Sequence, residues 1–157
     1  MRHLPKHLRP RYRYLAVEIE TWPDADFGRR ALQEAVWTAA RELLGDSRSA
    51  AVDIQVIEAD FWTGGGSAII RVRRGTDGQA RAAVACVSSV DGHDVRVGVR
   101  GLGGTVRATE NYRDGPPAET GRKPITYRGD SGTAVFRADR VDIELNGTFV
   151  GATPREL

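Results

Sequence analysis

What most constrains this 157-residue chain is the order in which its hydrophobic period changes along roughly its first hundred residues. Residues 12–22 alternate, with Leu15, Val17 and Ile19 pointing one way and Tyr14, Ala16, Glu18 and Glu20 the other. That is the pattern of a strand with one buried face. After Trp22-Pro23-Asp24 the period lengthens: Ala31, Leu32, Ala35, Val36, Ala39, Ala40, Leu43 and Leu44 recur at helical spacing. A helix follows, capped by Asp24 or Asp26 and closed by Gly45 as a C′ glycine. Residues 53–62 read as a second strand, Gly64-Gly65-Gly66 as a hairpin turn, and 67–74 as a third strand. Residues 77–90 read as a helix of small residues ended by Asp91-Gly92. A fourth strand over 94–100 turns Val95, Val97 and Val99 inward and Arg96 and Arg100 outward.

The order is β-α-β-β-α-β, and two helices cannot cover both faces of a sheet. This predicts an α+β two-layer sandwich, ferredoxin-like or RNA-recognition-motif-like, with a four-stranded antiparallel sheet. Its open face would carry Tyr14, Glu18, Glu20, Arg71, Arg73, Arg96 and Arg100. Residues 111–130, rich in Gly, Pro and charge, read as a linker. Asn146-Gly147 marks a β-hairpin between Val141–Leu145 and Thr148–Val150. The expected organisation is a domain over 1–110 and an extension over 111–157.

Charge is segregated. The first fourteen residues carry five basic side chains and no acidic one, residues 15–62 carry four and ten, and residues 63–107 carry seven and three. A basic arm with interleaved Tyr12 and Tyr14 suits a polyanion with exposed rings, most directly RNA. Only Lys6 and Lys123 are Lys. Arg dominance suits bidentate phosphate contacts, although a GC-rich genome produces it too. Cys86 is the single cysteine, so neither an internal disulfide nor a cysteine-based zinc site is available. No secretory leader or membrane span is legible, which leads to the expectation of a cytoplasmic protein away from membranes.

At this point the residues resemble a family. The string His3-Leu4-Pro5-Lys6-His7-Leu8-Arg9-Pro10-Arg11-Tyr12-Arg13-Tyr14-Leu15 is similar to the start of the archaeal ribonuclease P protein component 2 family, whose eukaryotic relatives belong to the ribonuclease P and MRP particles. Ile69–Arg74, Ala82–Val87 and Val99–Ala108 resemble its third strand, second helix and closing segment, in the same order. Where the family usually has Ser-Gly-Thr, this chain has Gly103-Gly104-Thr105. The likeness covers about residues 1–110, and the Arg-rich composition and tail look most like haloarchaeal versions. It implies a ferredoxin-like fold and a noncatalytic subunit of the particle that removes 5′ leaders from precursor tRNA. It further implies partnership with the ribonuclease P RNA and the barrel-like protein component 3, and an indirect relation to precursor tRNA; self-association is compatible with it. No cofactor would belong to the protein, and Mg²⁺ would reside on the RNA.

The candidate RNA-binding residues are Arg2, Lys6, Arg9, Arg11, Tyr12, Arg13 and Tyr14 of the arm, then Arg71, Arg73, Arg74, Arg96, Arg100 and Arg107. The four arginines of the sheet face would touch phosphate or a protein partner, or else pair with Glu18 and Glu20. The third strand has no aromatic residue, which disfavours base stacking there. Gly101–Thr105 reads as a glycine-bent strand end rather than an anion nest. Pro5 lies between His3 and His7 and disfavours a helical metal pair. Cys86 reads as a core thiol, and Trp62 as the aromatic most suited to a protein partner. No residue set supports catalysis. A metabolite-binding ferredoxin-like domain is the rival function, and a stand-alone enzyme is a third.

Overall fold

The computed structural model describes residues 4–157. They form two compact units, one running to Gly115 and the other spanning Pro116–Leu157.

In the first unit β1 (Tyr12–Thr21) is followed by α1 (Arg29–Val52), β2 (Gln55–Trp62), β3 (Gly65–Arg73), α2 (Asp77–Ala85), β4 (Ser89–Val90), β5 (His93–Gly103) and α3 (Val106–Glu110). The sheet order is β2-β3-β1-β5-β4 and every pairing is antiparallel. Leu15, Val17 and Ile19 of β1 and Ile70 and Val72 of β3 meet Leu32, Val36 and Ala40 of α1 and Ala80, Ala83 and Val84 of α2 in one buried cluster. Each buried Leu, Ile or Val among them contributes about 1.5–3 kcal/mol through burial, and each Ala less. This is the α+β layer arrangement that the alternating periods demand.

Three elements depart from expectation. First, α1 starts at Arg29 with Gly28 in the cap position and no side-chain cap bond, so neither Asp24 nor Asp26 caps it. Gly45 does break the helix (φ 77°, ψ 166°), but the chain re-enters helix and runs on to Val52. The fully buried Val52 docks this extra turn on the core. Second, the second helix stops at Ala85 rather than continuing to 90. Val87 and Val90 are core residues, and Asp91 and Gly92 both take positive φ, at 50° and 79°. Asp91-Gly92 is therefore the two-residue turn of the β4–β5 hairpin, and the sheet gains a fifth strand. Cys86, just past α2, is exposed and not a core thiol.

Third, the second face of the sheet is not open. Ala16 and Ile69 are paired across β1 and β3 on that face, and both are fully buried. α3 packs on β1, β3 and β5 there. A register shift between Ala16 and Val17 skips Arg100, which leaves Gly98, Gly101 and Gly103 opposite Glu18, Ala16 and Tyr14. The missing side chains make room. A Cβ on Gly101 would collide with the Tyr112 ring, and one on Gly103 with the Thr109 hydroxyl. Arg113, with only 13% of its side chain exposed, ends this strap by reaching Glu58 (3.3 Å), Asp60 (2.5 Å) and the buried Ser67 hydroxyl (3.1 Å).

The second unit is a four-stranded antiparallel meander: β6 (Glu119–Tyr127), β7 (Asp130–Arg137), β8 (Arg140–Leu145) and β9 (Thr148–Ala152). The expected Asn146-Gly147 hairpin exists, with φ of 50° and 81°, but as the last turn of a larger sheet. Residues 119–127, expected to be linker, are its first strand, which turns into β7 through Arg128-Gly129 with φ of 52° and 94°. Ala134, Val141, Ile143 and Ala152 form its core. Asp142, 1% exposed, accepts hydrogen bonds from Arg137 and Arg140. At the exposed edge the Arg122 hydrogen bond holds the Glu119 carboxyl below its ordinary 4.5.

Candidate nucleic-acid interface

The antiparallel pairing brings the start of β1 beside the ends of β3 and β5, since Tyr12 lies opposite Arg73 and Tyr14 opposite Gly103. The Arg74 backbone N–H donates to the Arg11 carbonyl at 2.8 Å and holds the two chains together just beyond the sheet. A cleft of about 540 Å³ opens there, lined by Arg11, Tyr12, Arg13, Tyr14, Arg74 and Gly104. Its lining holds three arginines and no carboxylate. Arg11, Arg13 and Arg74 form no ion pair among the described residues, and the Nε of Arg13 is buried with no hydrogen-bond partner. The Nε of Arg71 is buried without a partner in the same way, so it is the lack of ion pairs at Arg11, Arg13 and Arg74, rather than that one atom, that suits the cleft to an anion.

The arm before β1 folds locally. Pro5 opens a single 3₁₀ turn over Lys6–Leu8, closed by the Leu8 N–H on the Pro5 carbonyl (2.9 Å). The Arg9 Nε donates to the Leu4 carbonyl at 2.9 Å. Every residue from Leu4 to Arg11 is exposed, so the Lys6 and Arg9 charges face solvent. Arg2 and His3 lie outside the described residues.

The arginines of the sheet face are in a different state. Arg96 makes a two-pronged contact with Glu20, at 2.9 and 2.7 Å, and Arg100 reaches Glu18 at 2.5 Å. Arg73 lies 3.4 Å from Asp53, which also accepts the Tyr12 hydroxyl at 3.2 Å. Arg71 donates to Gln55 at 2.7 Å and stacks its guanidinium 4.2 Å from the Tyr12 ring centre. Pairs this exposed are worth at most about 1 kcal/mol each to the fold. Their larger effect is electrical, since they cancel three of the four charges. Arg107, on α3, is exposed and makes no ion pair among the described residues. Of the thirteen sequence candidates, the fold gathers Arg11, Tyr12, Arg13, Tyr14 and Arg74 at one cleft. It sets Arg71, Arg73, Arg96 and Arg100 apart in internal contacts.

Two other grooves differ in character. One of about 320 Å³ runs between α1 and residues 86–91 and carries Glu34, Glu42 and Asp91. Another, of about 390 Å³, flanks Trp37. Trp37 is 46% exposed, whereas Trp62 is half-buried, so Trp37 is the more accessible of the two. Among the described residues no group of three His, Cys, Asp or Glu side chains could hold a metal ion, and no helix is long and apolar enough to cross a membrane. Sequence reasoning missed Gly104 as part of the cleft and Arg113 as the anchor of the strap. Arg113 finds partners 46 to 55 residues away, a separation that carries no local signal.

The chain is 53% identical over 156 residues to ribonuclease P protein component 2 of Haloarcula marismortui, covering 98% of this chain and 97% of that one. It is 51% identical to the protein of the same name from Natronomonas pharaonis, over 100% of this chain and 98% of the relative. The Pyrococcus horikoshii protein of that name is 32% identical over 107 residues, covering 68% of this chain and 86% of the relative. The Rpp14/Pop5 family matches residues 13–113, which span the sheet, its helices and the strap to Arg113. By that match and those identities, the chain belongs to the Rpp14/Pop5 family.

Proposed function

We propose that the protein is a noncatalytic RNA-binding subunit of ribonuclease P, the ribonucleoprotein that removes 5′ leaders from precursor tRNA. Relatives named ribonuclease P protein component 2 match it over nearly its whole length, which supports membership of that particle. The strand order and the two helices on one face fit a ferredoxin-like description of the first unit. One observation carries the RNA assignment: Arg11, Arg13 and Arg74 at the cleft make no ion pair among the described residues, while Arg73, Arg96 and Arg100 of the sheet face are each held by a carboxylate. Unpaired cations at phosphate distance displace condensed counterions, and that release drives association.

On this reading the arm, the sheet end and Arg107 neutralise phosphates of the ribonuclease P RNA in the cytoplasm. Hydrolysis belongs to that RNA and its Mg²⁺, with no cofactor on the protein, and the compacted RNA needs less Mg²⁺ to hold its active fold. The second protein partner is component 3, and precursor tRNA is met through the particle.

The test is the salt dependence of RNA binding. Replacing Lys6, Arg9, Arg11 and Arg13 with Ala should weaken binding and flatten the slope of log K against log salt. The expected change is about 0.7 per lost contact to single strands or 0.9 to duplex. An unchanged slope removes the arm from the mechanism. Tagged protein purified from its native cells should bring a leader-trimming RNA with it. Nuclease-treated protein that still trims precursor tRNA would overturn the noncatalytic reading.

A further inference from the structure

The cleft beyond β1, β3 and β5 has a more specific shape than a basic surface. Its three guanidinium groups come from chain segments that are distant in sequence but held together by the Arg74–Arg11 backbone bond. Arg13 is half-buried, and its unpartnered Nε lies within the protein surface rather than in solvent. Tyr14 is half-buried, stands opposite Gly103 and makes no side-chain hydrogen bond among the described residues. The Tyr12 ring, by contrast, is already covered by Arg71. Gly104 forms part of the wall, and a Cβ built there meets nothing within 4 Å.

From this we infer that the cleft is a subsite for one backbone phosphodiester of an unpaired RNA nucleotide, with an adjoining base laid against Tyr14. The inference rests on the RNA-binding reading above and names the ligand of that site. Three arginines line this one cleft, and guanidinium forks suit the several oxygens of one phosphate better than the spaced phosphates of a duplex. Tyr14 also lines the cleft, and a ring there accepts a base only when that base is turned out of a helix. Neither Arg73, Arg96 nor Arg100 can serve in the same way without first giving up its carboxylate.

Gly104 supplies the test. Gly104→Glu puts a carboxylate among Arg11, Arg13 and Arg74 without a collision inside the protein, while Gly104→Ala adds a methyl to open space. Binding of a short single-stranded RNA and of a duplex of equal length would be followed by fluorescence anisotropy on the full chain, with folding checked by thermal unfolding. Gly104→Glu should weaken the single strand by roughly tenfold or more, as expected for lost charge-assisted bonds. It should lower the salt slope by about 0.7 and leave the duplex within about twofold, whereas Gly121→Ala, which adds a methyl to open space in the second unit, should bind like the parent. Arg74→Glu, on an exposed side chain, should reproduce the loss if Gly104→Glu folds poorly. Equal weakening of duplex and single strand would overturn the unpaired-nucleotide assignment. Full single-strand affinity in both variants would overturn the cleft itself, even where the arm variant still loses RNA. Full affinity in those two and in the arm variant alike would move RNA binding away from this end of the sheet. Inorganic phosphate or a nucleoside monophosphate binding as tightly as the oligonucleotide would mark a small-anion pocket and refute the proposal.

Discussion

The strap over the second face of the sheet can be tested at a single atom. Gly103 does not occupy the left-handed region, so alanine fits its backbone. Its Cβ, however, would run into the Thr109 hydroxyl and lie 3.1 Å from the Thr109 backbone nitrogen. Thr109 is fully buried, and its hydroxyl donates to the Thr105 carbonyl at 2.7 Å. It cannot turn outward without releasing α3. Overpacking at such a site costs ~1–3 kcal/mol, and the broken hydroxyl bond adds ~1 kcal/mol. Gly103→Ala should therefore destabilise the first unit by roughly 2–4 kcal/mol and lower its Tm by roughly 8–15 °C. Thr109→Ala alone removes the hydroxyl and costs about 1–2 kcal/mol. Combined, the two substitutions should cost less than their sum by about 1–3 kcal/mol, because the new methyl takes the space the threonine gives up. Circular dichroism melts of the four proteins complete the cycle, and hydrogen exchange at 106–113 reports whether the strap has lifted. If Gly103→Ala melts with Gly104→Ala, or the cycle shows no coupling, α3 does not sit on that face.

In the second unit, Asp142→Ala leaves Arg137, 9% exposed, with only the more distant Glu119 carboxylate at 3.9 Å. The expected cost is about 3–5 kcal/mol, and limited proteolysis should then cut within 116–157 while the first unit survives. On the sheet face, Arg96→Ala combined with Glu20→Ala, and Arg100→Ala combined with Glu18→Ala, should each change RNA affinity less than about twofold, because each pair is already neutral; a loss as large as that of Arg74→Glu would return the face to the binding surface. Arg122→Ala should move the Glu119 carboxyl up toward 4.5, since the Arg122 hydrogen bond is the leading cause of its depression. Below that depressed midpoint Glu119 is protonated and the contact is lost, which carboxylate-resolved NMR titration would follow.

The family was legible because the arm and β1 form one unbroken string, so local sequence carries most of the information. The layer arrangement was legible because burying one face of each element fixes a period of two or of about 3.6. Asp91-Gly92 was misread as a helix stop because the same residues serve as a two-residue hairpin turn; only the burial of Val87 and Val90 decides between them. The second unit was reduced to one hairpin because Gly, Pro and charge over 111–130 mimic a linker, although Ile125 and Tyr127 pack on its core.

Sequence alone determined which side chains could be cationic and the order of the first unit's main strands and two long helices, since both depend on residues close together along the chain. Tertiary structure alone decided which cations stayed unpaired. Arg74 and Arg96 look equivalent in a list of residues. One ends up beside Arg11 in a cleft lined by no acid, and the other against Glu20, seventy-six residues away. Electrostatic pairing depends on distance in space, and antiparallel register, not sequence separation, sets that distance.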